Sequence, residues 1–228
     1  MDAENQALEE IFNHLKNKAS LKQKTYRNIV EVFKMLKKEA SDITKKLQQK
    51  IKKVDSSISV SLTEKNEFEF HIKFAGDLLI FSLQSNIVTF NSEYVIMKSD
   101  YVKESTDRGY FGQIYVYNFL ADSIKYNRME DPGYLIGRLL VNSESHFYVE
   151  GTEQLSFLFT DIQNNIISEQ WLRLLVEKAM LSSISNDLIG ANYPDIQNTT
   201  LRHKMKDNVP MGQGQKLGFH MSYMNEIK

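Results

Sequence analysis

With 228 residues, 42% hydrophobic and 25% charged, the chain holds enough apolar material for one large core and too much for global disorder. It has no cysteine, which excludes a disulfide framework, thiolate zinc and iron–sulfur sites and a cysteine nucleophile. The net charge of −1 hides an asymmetry: residues 16–53 carry thirteen Lys/Arg against Glu31, Glu39 and Asp42, whereas residues 1–15 carry −4 and residues 54–228 carry −7.

The opening Met1-Asp2-Ala3-Glu4 is acidic and lacks the apolar run of a secretory signal. Apolar stretches such as Leu78–Phe81 are too short to span a bilayer, so a soluble, cytoplasmic protein is expected.

Two helices come first. Leu8, Ile11, Phe12, Leu15 and Ala19 recur at three- and four-residue spacing, which predicts an amphipathic helix over residues 4–18. Tyr26, Ile29, Phe33, Leu36, Ala40, Ile43 and Leu47 then step by three and four like a heptad seam, continued with a shift by Ile51 and Val54. A helix from Leu21 to Val54 would be ~50 Å long, longer than a small domain is wide, so part of it is expected to project or pair. Residues 1–54 thus read as a helical N-terminal arm.

The pattern changes at Asp55-Ser56-Ser57 to the period of two that marks strands. Ile58, Val60 and Leu62 alternate with serines. Phe68, Phe70, Ile72 and Phe74 alternate with Glu67, Glu69, His71 and Lys73, giving one buried and one wet face. Leu78–Leu83, Ile87–Met97, Ile114–Phe119, Tyr134–Val141 and His146–Glu150 follow, with a charged loop at 98–108 and an Asp131-Pro132-Gly133 turn. Short connections predict an antiparallel meander of six to seven strands.

Ser168 is a candidate N-cap for a helix running to about Leu188, before Gly190. Its Trp171, Leu172, Leu174, Leu175, Val176, Ala179, Met180 and Leu181 leave almost no polar face, which predicts a buried helix closing the sheet. The fold class is therefore α+β, with a sheet domain over residues 55–190. Residues 191–228 read as an irregular C-terminal segment, with Leu217, Phe219, Met221 and Tyr223 alternating as a possible docked edge strand.

No stretch carries a nucleotide or hydrolase signature. Gly212-x-Gly214-x-x-x-Gly218 has neither the spacing nor the strand–helix context of a dinucleotide fingerprint. Arg108-Gly109-Tyr110 opens like the aromatic strand of RNA-recognition motifs, but stacking needs aromatics two apart on one face, and Tyr110 is followed at that spacing by Gly112. No cofactor or metal is expected.

Three constellations remain. The seam residues Ile29, Phe33 and Leu36, with the strand tyrosines Tyr115 and Tyr117, are candidate contacts for a protein partner or a second copy, since tyrosine joins apolar area to a polar tip. Lys37, Lys45, Lys46 and Lys52 form a candidate basic patch. It suits nucleic-acid phosphates better than a membrane, because the seam beside it lacks Trp; a solvated helix face is the plainer account. Glu69, His71, His146 and Glu150 would make an acid–base cluster if their strands were neighbours. The expectation is a non-catalytic binding or assembly protein, with a nucleic-acid-associated protein and an enzyme as alternatives.

Overall fold

The computed structural model describes residues 3–190, 192–198, 200–201 and 215–216. Helix α1 (Ala3–His14) runs through a π-helical turn (Leu15–Ala19) into α2 (Ser20–Ile51). Strands β1 (Val60–Asn66), β2 (Glu69–Phe74), β3 (Asp77–Val88), β4 (Phe111–Leu120), β5 (Tyr134–Val141) and β6 (Phe147–Gly151) follow. They form one antiparallel sheet in the order β1-β2-β3-β4-β5-β6, the expected meander. Short helices α3 (Asp100–Lys103) and α4 (Ala121–Lys125) flank β4, and α5 (Glu169–Ser185) comes after the sheet. A two-residue strand β7 (Leu188–Ile189), the short helix α6 (Tyr193–Ile196) and β8 (Gln215–Lys216) end the described chain, β7 pairing with β8. The alternation expected at 217–223 lies outside the described residues.

The meander forms because alternate residues meet two different surroundings. Phe70, Ile72 and Phe74 on β2, Leu79, Phe81 and Leu83 on β3, Ile114 and Val116 on β4, Leu139 and Val141 on β5, and Phe147 and Val149 on β6 all point to one core. Helices α2 and α5 cover that face side by side, contributing Ile29, Val32, Phe33, Leu36, Ala40 and Ile43 from α2 and Leu172, Leu175, Val176, Ala179 and Met180 from α5. Arg173 of α5 reaches Glu39 of α2 at 3.6 Å, adding a polar tie between the two helices. At the start of α2, the Asn28 amide donates to the Asn142 carbonyl at 2.7 Å and accepts from the Ser145 hydroxyl at 3.2 Å, fixing the helix to the β5–β6 turn.

Three local expectations are corrected. Residues 87–97 are not a strand of their own: β3 runs on to Val88, and Asn91 closes a turn by accepting from the Tyr94 amide. The chain then crosses the second sheet face as short helical turns, burying Ile96, Tyr101 and Val102 against Phe111, Leu140 and Ile162. Its apolar residues served a surface-crossing segment rather than a pleat. Helix α5 stops at Ser185 and is not buried all round, since the apolar Leu181 and Ile184 are exposed; it buries one face only. Its start is as expected, with Ser168 accepting from the Trp171 amide at 3.2 Å. Ser168→Ala should therefore cost about 1 kcal/mol in chemical unfolding, and an unchanged midpoint would mean that the cap contributes nothing.

Candidate functional site

Two surfaces are left over once the core is assigned, an N-terminal helical projection and part of the second sheet face. The projection comes from the length of the first helix. Continuous helix from residue 3 to residue 51 is ~73 Å long at 1.5 Å per residue, and the sheet occupies only part of it. Helix α2 becomes buried from Thr25 onward. Before that, every side chain from Gln6 to Lys18 is exposed.

Along this free stretch Leu8 (62%), Ile11 (57%), Phe12 (56%) and Leu15 (59%) are exposed on one stripe, at the spacing that puts residues on a common helix face. Gln6, Glu10, Asn13 and Asn17 occupy the opposite side by the same periodicity. The π-helical turn at 15–19 matters here. An i→i+5 turn takes up about one extra residue, which rotates the α1 stripe by about 100° relative to the seam of α2. The stripe is thus a surface of its own, out of line with the seam that meets the sheet.

The seam itself is filled. Ile29, Phe33 and Leu36, expected as candidate partner contacts, are 0%, 1% and 0% exposed and pack on this chain's own strands. The exposed apolar surface lies roughly four to eight turns earlier, on α1 and the first residue of the π-helical turn, in residues whose periodicity was visible in the sequence but which were not among the candidates.

The second surface is a grid of side chains set by strand register. Glu69, Ser82, Tyr115, Arg138 and Glu150 lie opposite one another from β2 to β6. One step along, Thr63, His71, Ile80, Tyr117 and Leu135 make a second row. Tyr115 and Tyr117 are half-buried there, their rings 6.0 Å apart edge to face, and Phe119 continues the line at 6.4 Å from Tyr117. At the far end Tyr94 donates to Glu150, and Arg138 donates to Glu150 and, at 2.6 Å, to the Tyr94 hydroxyl. The Arg138 guanidinium also lies over Phe90, itself stacked on Tyr94. Burial, and then the neighbouring Glu150 carboxylate, push the Tyr94 hydroxyl up to about 12. This group is a lock holding the crossing segment to the sheet.

The same register disperses the acid–base cluster. His71 and Glu69 share β2 and bond at 2.8 Å, but three strands separate β2 from β6, roughly 19 Å at 4.8 Å per strand. Glu150 is committed to Arg138 and Tyr94. His146 precedes β6, with its ring stacked on Tyr101 at 4.2 Å and its Nδ1 donating to the Ile162 carbonyl at 2.9 Å. Since a carbonyl only accepts, Nδ1 carries the proton, and this histidine is part of the packing of the crossing segment. Beside it the Tyr101 hydroxyl donates to Glu144 at 2.7 Å and accepts from Asn142 at 3.0 Å. That bond from Tyr101 holds the Glu144 carboxyl below its ordinary range, with Arg108 assisting, while burial pushes the Tyr101 hydroxyl up to about 12. Among the described residues, no group of three His, Asp or Glu side chains is placed to hold a metal ion.

The basic candidates divide. Lys37 is engaged with Glu64 of β1, half-covered at the sheet edge. Lys45 lines a cleft of about 350 Å³ between α2 and β1, with Thr44, Gln48 and Val60 among its walls. Lys45 and Lys46 are exposed on α2, and Lys52 is exposed just past its end. Among the described residues no helix is long and apolar enough to cross a membrane.

Compared with protein-family models, with curated proteins and with solved structures, the chain matches none.

Proposed function

We propose that this chain is a non-catalytic assembly protein that associates through its projecting helix, with the tyrosine-bearing sheet face as a second recognition surface. The observation that carries the reading is the exposed stripe of Leu8, Ile11, Phe12 and Leu15 on a helix that leaves the body of the protein. Four large apolar side chains in one line on a helix lose free energy to water at roughly 25 cal/mol per Å², and a partner that covers them recovers it. Tyr115, Tyr117 and Phe119 add aromatic area of the kind that anchors interfaces.

Association driven by apolar burial is insensitive to salt, whereas binding of phosphates by Lys45, Lys46 and Lys52 weakens steeply as salt rises. Sedimentation over a concentration series, at about 50 mM and about 500 mM salt, separates the two. The expected result is concentration-dependent association with the same constant at both salts. A monomer at all concentrations that shifts an RNA or DNA band at low salt alone would sink the proposal in favour of the basic helix.

A further inference from the structure

We infer that the occupant of the α1 stripe is the same stripe of a second copy, laid antiparallel across it. This inference rests on the assembly reading above and gives it a partner and an orientation.

The charge order along the helix decides the orientation. Acidic residues come first, with Glu9 and Glu10 on α1, and basic ones follow, with Lys16, Lys18, Lys22 and Lys24 and no acid before Glu31. Glu9 and Lys16 are seven residues apart, two turns, and so lie on the same flank of the stripe. Two copies side by side in parallel would turn this flank against the opposite one, which carries Ala7 and His14, and would leave Glu9 and Lys16 without each other. They would also bring both sheet bodies to the same end of the pair. Antiparallel, with the twofold axis near Phe12, Glu9 of each copy faces Lys16 of the other. The same axis sets Leu15 of each copy beside Ile11 of the other, so one register satisfies both the apolar and the charged positions. The bodies then sit at opposite ends, out of each other's way.

The overlap is limited to the free stretch, residues 6–18, about 20 Å of helix. Four large apolar residues a side make an interface below the ~1,000 Å² of a permanent complex, so the pair belongs to the weak, reversible class. Exposed flanking charges contribute little to its strength. Their effect is to favour the antiparallel alignment, the one in which they pair, as charges beside a helical seam do in paired coiled coils.

The test uses the full chain, whose lack of cysteine makes single-site labelling clean. Glu9→Cys and Lys16→Cys are prepared separately and treated with a short bismaleimide, alone and mixed, and Ile11→Glu is sedimented beside the unmodified chain. The expected result is a crosslinked dimer in the mixture and not in either variant alone, with association lost in Ile11→Glu. Because Ile11 is exposed, that variant should keep the thermal midpoint of the parent, which shows that the loss is not unfolding. Crosslinking of each variant to itself means a parallel pair and overturns the inference. Association that survives Ile11→Glu overturns it too, but leaves assembly through another face, such as Tyr115 and Tyr117. A monomer under all conditions overturns both the inference and the assembly reading.

Discussion

Phe33→Ala should cost about 3–5 kcal/mol of folding stability, whereas Phe12→Ala, the same change 21 residues earlier in the same continuous helix, should cost almost none. Phe33 is 1% exposed and its ring lies 5.3 Å from that of Phe70, which stacks on Phe81 at 4.7 Å. Truncation removes the ring that joins α2 to β2 and β3 at the centre of the core, and α2 cannot collapse into the gap. It is pinned at one end by Asn28 to the β5–β6 turn and flanked by α5 through Glu39 and Arg173. For a chain of this size, a loss of that order lowers the thermal midpoint by roughly 10 °C. A drop of under about 2 °C would show that the seam of α2 is not packed on this sheet. Phe12→Ala provides the internal control, since its effect belongs in association and not in folding.

That contrast marks where the sequence was legible. Periodicity announced both apolar stripes, on α1 and on α2, because spacing of three and four depends only on helical geometry. It did not say which stripe the sheet would cover, since covering depends on where the meander folds back. The seam of α2 therefore read as a partner surface and became the core. The strands β1, β2, β4, β5 and β6 followed from alternation and turn residues, all local signals. Residues 87–97 did not, because Phe90, Tyr94 and Ile96 are apolar for a reason of tertiary placement: they cover the second face of the sheet. The histidine cluster failed for the same cause. Residues that share a pattern on two strands become neighbours only through strand order, and β2 and β6 lie at different places in a six-stranded meander. The Tyr94–Glu150–Arg138 lock joins residues 56 and 44 positions apart, so no local spacing announced it.

Gly112 is the position where a small residue has the largest consequence. In sequence it only interrupted the aromatic run Tyr110-Phe111-Gly112. In the fold it lies on the helix-facing side of β4, opposite Val141, and a Cβ built there would come within 2.6 Å of the Ile29 Cβ on α2. Glycine is required at this point for close approach of helix and strand. Gly112→Val should destabilise the protein by about 3 kcal/mol, the upper end of overpacking, with Gly112→Ala intermediate. The collision is with the first atom of the Ile29 side chain rather than its tip, so shortening the neighbour leaves it in place: Gly112→Val with Ile29→Ala should remain less stable than Ile29→Ala alone. For the substitution to be accommodated, α2 must lift from the sheet, which loosens Phe33 and Leu36 along with Ile29. Urea unfolding of the four chains, parent, two single variants and the double, measures this directly. If the double variant matches Ile29→Ala, helix and strand are not in contact at Gly112, and the packing of the N-terminal helix on this sheet is wrong.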